Sequence, residues 1–357
     1  MKKVIQISLF LLINIVLTGQ TPIPKKCYLH LTGTLNEIIP VTMDLIKVYD
    51  SIYGYFLMNV GEEHPVYQQG HISQNGTFQL GGGYSEVKPQ ISGQMTTGKP
   101  FQATWSGKAG ESFLMLLHEK NLSGSVLMNV YYLKGKKNLT AAPNSPSCAI
   151  ELVILLPEES GDPIRSDSLR IVMLDTFDEN QMHESDPDLM LSRIRDKFYT
   201  EYLTSNEMLV KSFPDAGLLN WFMLKGIQII NNREHVLSYC IFSYAFTGGA
   251  HGLESREFHN FNLRTGKIIR LSDFLKPGYE KDLTVILTRK LHQNLKLQPN
   301  QKLSESGFFQ DDIKPNRNFY VTPEGIGFYY NHYDISPYSN GPTDLFLKYS
   351  ELKSLMK

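Results

Sequence analysis

Residues 235–263 read HVLSYCIFSYAFTGGAHGLESREFHNFNL, two long runs joined at Thr247-Gly248-Gly249-Ala250-His251-Gly252. Leu237, Cys240, Phe242, Tyr244 and Phe246 in the first run, and Phe258, Phe261 and Leu263 in the second, recur mostly every two residues. That is the period of a half-buried strand. Three glycines at the joint predict backbone angles or close approaches that a Cβ would obstruct. The stretch therefore reads as two strands with a tight connection presented at the edge of a sheet, and it makes the C-terminal half sheet-based.

Working outward from it, Asn231-Asn232-Arg233-Glu234 separates 219–230 from 236–246, which predicts a long hairpin feeding the glycine joint. Upstream, Ser185-Asp186-Pro187-Asp188 offers a cap, a proline and acids for a helix start. Leu191, Ile194, Phe198 and Tyr202 follow at helical spacing, so a helix over 187–205 buries one face. The runs 149–156 and 169–174 are apolar enough for strands. Downstream, Arg264-Thr265-Gly266-Lys267 is a turn, 268–271 a short strand and 272–275 a helical turn. Leu283, Ile286, Leu287, Leu291 and Leu295 form the stripe of a helix over 279–295. Residues 313–322, 325–333 and 343–347 read as strands and 350–356 as a closing helix.

The region 28–132 has no helical spacing. Short alternating runs and turn signals, Asn75-Gly76 the clearest, predict a meander of seven or eight antiparallel strands, as a small barrel or curved sheet. Its tyrosines Tyr53, Tyr55, Tyr67 and Tyr84 could bind carbohydrate or protein, or simply pack the barrel and its ends. Residues 134–147 are polar and proline-punctuated and read as a linker. The expected class is thus α+β, antiparallel sheets with packed helices after an all-β module. The division is 1–19 leader, 20–133 β module, 134–148 linker, 149–250 and 251–357 two α+β subdomains.

Lys2 and Lys3 precede an apolar run from Val4 to Leu17 and then Thr18-Gly19-Gln20, the layout of a secretory signal cleaved after Gly19. Gln20 stands where a lipoprotein needs cysteine, so lipid anchoring is not expected. No later run approaches the roughly 18 to 20 apolar residues of a membrane span, which points to a periplasmic or extracellular chain. The composition, 41% hydrophobic and 20% charged, excludes a disordered or coiled-coil class. A net charge of −1 gives no reason to expect nucleic acid as partner. Of three cysteines, Cys240 reads as a buried thiol, while Cys27 and Cys148 could pair across the first domain.

Three motifs occur in order: Tyr244-Ala245-Phe246-Thr247-Gly248-Gly249-Ala250-His251-Gly252; then Phe261-Asn262-Leu263-Arg264-Thr265-Gly266-Lys267 with Leu271-Ser272-Asp273-Phe274-Leu275; then 319–338 with Gly341-Pro342. Over 149–357 the chain resembles the extracytoplasmic domain of RsiV-type anti-sigma factors, a unit that also precedes the catalytic domain of PdaC-like peptidoglycan deacetylases. The β meander resembles the small module often fused ahead of it. The resemblance implies a mixed α+β fold in two subdomains and, for the anti-sigma members, a lysozyme-binding ectodomain. This sequence lacks their transmembrane helix and sigma-binding segment, so only the binding role carries over.

Thr176-Phe177-Asp178-Glu179 is similar to the acidic metal motif of polysaccharide deacetylases, but Asn180-Gln181 follow and no His-x-x-x-His pair completes a metal shell. His251, His259 and the His332-x-Asp334 pair match no dedicated ligand spacing. His251 is expected to lock the glycine turn by hydrogen bonds to backbone carbonyls. No nucleophile elbow, phosphate loop or His-Glu-x-x-His occurs, so no enzyme activity, cofactor or metal is expected. What remains is a binding surface at Gly248, Gly249, Ala250 and His251 with the ring- and amide-rich Tyr330, Asn331, Tyr333 and Tyr338. Its partner would be a lysozyme-like protein or a cell-wall glycan.

Overall fold

The structure is a computed structural model that describes residues 23–58, 64–81, 90–107, 110–120, 124–158, 163–178, 184–212, 217–298 and 300–357. The expected leader over 1–19 lies outside the described residues, as does Tyr84.

Eight strands, β1 (Lys26–Leu35), β2 (Ile39–Val48), β3 (Ser51–Met58), β4 (Val66–Ile72), β5 (Thr77–Gly81), β6 (Gln90–Gln94), β7 (Phe101–Ser106) and β8 (Ser112–Glu119), each pair with the next, and β8 closes on β1. Alternation sends Leu31, Met43, Leu45, Phe56, Phe78 and Phe101 inward, where they are fully buried, so the lumen is a packed core. Close approaches between strands need glycine at Gly33 and Gly54 among others. A Cβ on Gly33 or Gly54 would stand 1.9 Å from the carbonyl oxygen of Leu116 or Asp44.

Beyond the barrel a six-stranded sheet runs in the order β14-β13-β12-β11-β10-β9. Its strands are β9 (Met128–Asn138), β10 (Ser147–Pro157), β11 (Trp221–Arg233), β12 (Val236–Phe246), β13 (Leu253–Asn262) and β14 (Lys267–Ile268). The expected linker over 134–148 is therefore a hairpin: Lys134, Lys136 and Lys137 project from the edge strand β9, where lysine discourages further pairing. The 133/134 boundary cuts β9, and the 250/251 boundary falls in the connection between two hydrogen-bonded neighbours, β12 and β13. Among the described residues only β10 and β11 pair in parallel. Between them run the helices α1 (Pro163–Phe177), α2 (Pro187–Asn206) and the short α3 (Leu209–Ser212). The strand expected over 169–174 is part of α1, because Leu169, Met173, Leu174 and Phe177, at helical spacing, are its buried apolar positions.

The α1 and α2 side chains share one apolar cluster with Ile227, Ile229, Tyr239 and Ile241 on one face of the sheet. The opposite face carries Ile230, Cys240 and Phe258, which cluster with Tyr55 of the barrel and with Tyr320 and Tyr329. The last two belong to a three-stranded sheet, β15 (Phe319–Val321), β16 (Gly325–Tyr330) and β17 (Thr343–Lys348). Around it pack α4 (Leu271–Phe274), α5 (Glu280–Leu295) and α6 (Tyr349–Leu352). Leu283, Leu287 and Leu291 of α5 are buried, whereas Leu295, at the left-handed stop formed by Lys296, is 41% exposed.

Side-chain hydrogen bonds join the layers. Ser238 Oγ donates to the Val321 carbonyl (2.7 Å), and Asn260 donates to that of Phe319 (2.8 Å) while accepting from Val321 N–H (3.0 Å). Arg233 reaches Thr42 of the barrel (3.1 Å) and Glu324 of the small sheet (3.2 Å). Asn232 donates to the Tyr28 hydroxyl at 3.1 Å. No helix among the described residues is long and apolar enough to cross a membrane. All three cysteines are free. Cys27 lies in the barrel sheet and Cys148 beside Trp221 in the other sheet, so the possible pairing across the first domain does not form. Burial pushes the thiols of Cys27 and Cys148 up to about 11, which makes both weak nucleophiles at neutral pH.

Candidate functional site

The glycine joint is the tip of the β12–β13 hairpin. Gly248 and Gly249 both have φ of 93°, and a Cβ on Gly252 would sit 2.3 Å from the Tyr244 hydroxyl, so each glycine meets the demand its position makes. Gly249, Ala250 and His251 are exposed and Gly248 is half-buried. His251 Nδ1 lies 2.9 Å from the Gly252 carbonyl, as expected of a turn-locking ring.

Tyr338 comes to the same place. Its ring stacks on His251 at 3.9 Å with an interplanar angle of 22°, and on His332 at 4.2 Å and 18°. Two imidazoles this close to one ring and nearly parallel to it must occupy opposite faces, so Tyr338 is sandwiched. Its hydroxyl donates to the Gly252 carbonyl at 3.1 Å. Tyr333, 53% exposed and held at a left-handed φ of 70°, tilts against Tyr338 at 5.9 Å. The hairpin tip and the tyrosine-rich segment, some eighty residues apart in sequence, thus build one stack.

The other members of the segment are not surface groups. Tyr330 is buried, its hydroxyl donating to the Lys314 carbonyl at 2.7 Å. Asn331 is structural: it accepts from Arg256 N–H (2.8 Å) and donates to the Arg256 carbonyl (3.0 Å), doing for the open edge of β13 what a neighbouring strand would do. Asn318 continues this, accepting from Phe258 N–H (2.8 Å) and donating to the Arg256 carbonyl (2.9 Å). Strand alternation puts Tyr330 in the core, and its large contact area is spent there.

The histidines do not converge. Tyr338 separates His251 from His332, and His259 stacks on Tyr239 at 5.1 Å, on the other side of β13 from Phe258. Among the described residues no three His, Cys, Asp or Glu side chains come close enough to hold a metal ion. In the deacetylase-like fragment Phe177 is buried and Asp178 pairs with Arg193, while Glu179 lies outside the described residues.

A second place takes in three of the barrel tyrosines that the sequence offered as possible binding rings, with groups that the sequence did not single out. A cavity of about 1140 Å³ lies between the barrel flank (Tyr53, Tyr55, Tyr67), the β11–β13 face (Gln228, Phe242, Arg256) and the small sheet (Tyr320, Tyr329, Asp344). The Arg256 guanidinium carbon lies 5.1 Å from the Phe242 ring centre, 5.5 Å from Tyr67 and 5.9 Å from Tyr329, and Nη1 donates to the Tyr55 hydroxyl at 2.9 Å. Asp344 accepts from Tyr320 at 3.0 Å. Enclosure by protein pushes its carboxyl up to about 7, against the Tyr320 hydrogen bond and the Arg256 charge, although the group opens onto the cavity and water there limits the rise. In sequence Gln228, Arg256 and Asp344 are ordinary polar positions of alternating strands, and only the closing of three layers on one another brings them to the barrel tyrosines.

The class of protein is set by this architecture: a mixed α+β unit of antiparallel-dominated sheets and packed helices, led by a closed eight-stranded barrel. Residues 272–350 match the family described as "Protein of unknown function (DUF3298)". A solved DUF3298-family structure from Bacteroides fragilis is similar at 24% identity over 66% of this chain and 96% of that one, with a TM-score of 0.61, a likeness of fold. Another from Pseudomonas aeruginosa aligns at 20% identity over 64% and 94%, with a TM-score of 0.45. No curated protein matches the chain.

Proposed function

We propose that the protein is a secreted or periplasmic, non-enzymatic binding protein of the bacterial envelope. It grips a lysozyme-like muramidase through the ring stack at the β12–β13 tip. The observation that carries this reading is the sandwich of Tyr338 between His251 and His332, with Tyr333 exposed beside it. Planar side chains fixed by stacking bring large contact area at low entropy cost, the property of residues that dominate protein interfaces. The RsiV-like motifs over the same residues supply the partner class, and the leader-like residues 1–19 supply the compartment.

The test is retention of hen lysozyme by the immobilised chain at tens of micromolar. Retention is expected, and Tyr333→Ala, a change at an exposed side chain, should weaken it about tenfold, the effect of losing one interface anchor. No retention by the folded chain would remove the lysozyme reading.

A further inference from the structure

The cavity behind Arg256 is separate from that stack: none of Gly248, Ala250, His251, Tyr333 or Tyr338 lines it. We propose that it is a binding site for a carboxylated saccharide.

Arg256 supplies the anion-binding group. Among the described residues no carboxylate lies within 4 Å of its guanidinium, although it sits in a largely enclosed, ring-lined wall. An arginine so placed presents a planar fork of donors that matches a carboxylate. Among the described residues its guanidinium makes one hydrogen bond, to the Tyr55 hydroxyl. The side chain is also prearranged, since Asn331 and Asn318 hold its backbone on both the N–H and carbonyl sides.

A second group asks for donors. Asp344, across the cavity, uses its oxygens on Tyr320 alone among side chains and opens to the cavity water. Between these groups stand the rings of Tyr67, Phe242 and Tyr329.

A ligand that answers all of this carries one carboxylate, several hydroxyl donors and an apolar ring face. Inorganic phosphate answers the charge alone: Lys290 and Lys348 line the same cavity beside Glu151, Glu254 and Asp344, but phosphate has no apolar face for the rings of Tyr67, Phe242 and Tyr329. A long alkyl acid would bring no donor to Glu254 or Asp344. The volume exceeds the few hundred Å³ at the lower end for ligand sites, which leaves room for more than one sugar ring.

The experiment titrates the full chain, by calorimetry and thermal shift, with glucuronic acid, galacturonic acid, N-acetylmuramic acid and trigalacturonic acid. Neutral maltotriose, inorganic phosphate and the dipeptide Ala-Ala serve as comparators. At least one carboxylated sugar should bind with a dissociation constant below about 1 mM, and at least tenfold tighter than every comparator. Arg256→Lys should weaken it at least tenfold, because lysine cannot form the fork. Asp344→Asn, a change at a side chain open to the cavity, should weaken it severalfold while the melting temperature of the free chain is maintained or raised. The assignment is overturned if no carboxylated sugar binds, if maltotriose or the dipeptide binds as tightly, or if both variants bind like the parent. Lysozyme retention is read on the same preparations, so failure of the cavity and failure of the stack are told apart.

Discussion

Asp344 and Arg256 show how much a single position's surroundings decide. In sequence Asp344 is one acid in a short strand, and nothing distinguishes it from acids that face bulk water. In the fold it faces a ring-lined cavity, and its carboxyl rises to about 7. The folded value lies above the roughly 3.9 of an unfolded chain, so the protonated form favours folding. That contribution is whole below about pH 4 and is lost as pH rises through 7. Asp344→Asn should therefore gain stability relative to the parent between pH 4 and pH 8. Denaturant midpoints for both chains across that range provide the check, and a constant gap would contradict it. His251 is the opposite case: glycines on both sides and a ring able to bond carbonyls made its turn role readable from local sequence alone.

At the scale of elements, local chemistry was legible where it was self-contained. Ser185-Asp186-Pro187-Asp188 announced α2, and Asp186 does cap it, accepting from the N–H groups of Asp188 (2.9 Å) and Leu189 (3.2 Å). Asp186→Ala should cost about 1 kcal/mol in chemical denaturation. Legibility failed where two readings share one composition. Residues 169–174 are apolar in either secondary structure, and the four-residue interval Leu169, Met173, Phe177 needed a longer window. The lysines of β9 look like linker because an edge strand and a linker are both polar. The edge of β13 could not be read at all, since its caps come from Asn318 and Asn331 far along the chain. Asn318→Ala should strand the Phe258 N–H and cost about 1–3 kcal/mol. A loss under about 0.3 kcal/mol would mean water replaces the amide.

For the molecule as a whole, the barrel and the α+β unit are not beads on a string. Tyr28, Ile46 and Val48 of the barrel belong to the same apolar cluster as the helix face of the main sheet, and Arg233 touches both the barrel and the small sheet. Thermal unfolding should then be a single transition, with calorimetric and van't Hoff enthalpies in agreement. A separate barrel transition would contradict the shared core. The overall class, a β barrel before an α+β unit, was visible in strand spacing and turn signals. The division into modules was not, because the polar stretch that suggested a joint is built into the sheet.

The parallel β10–β11 pair has a kinetic corollary. β9 with β10, and β11 through β13, are hairpins that zip locally, yet β10 and β11 meet only after the chain from Pro157 to Trp221 has coiled up and docked. Long closures of this kind are slow steps in assembly. Until that seam is sewn, two finished half-sheets each present a raw, greasy margin, and whatever shepherds the nascent chain has that margin to shield.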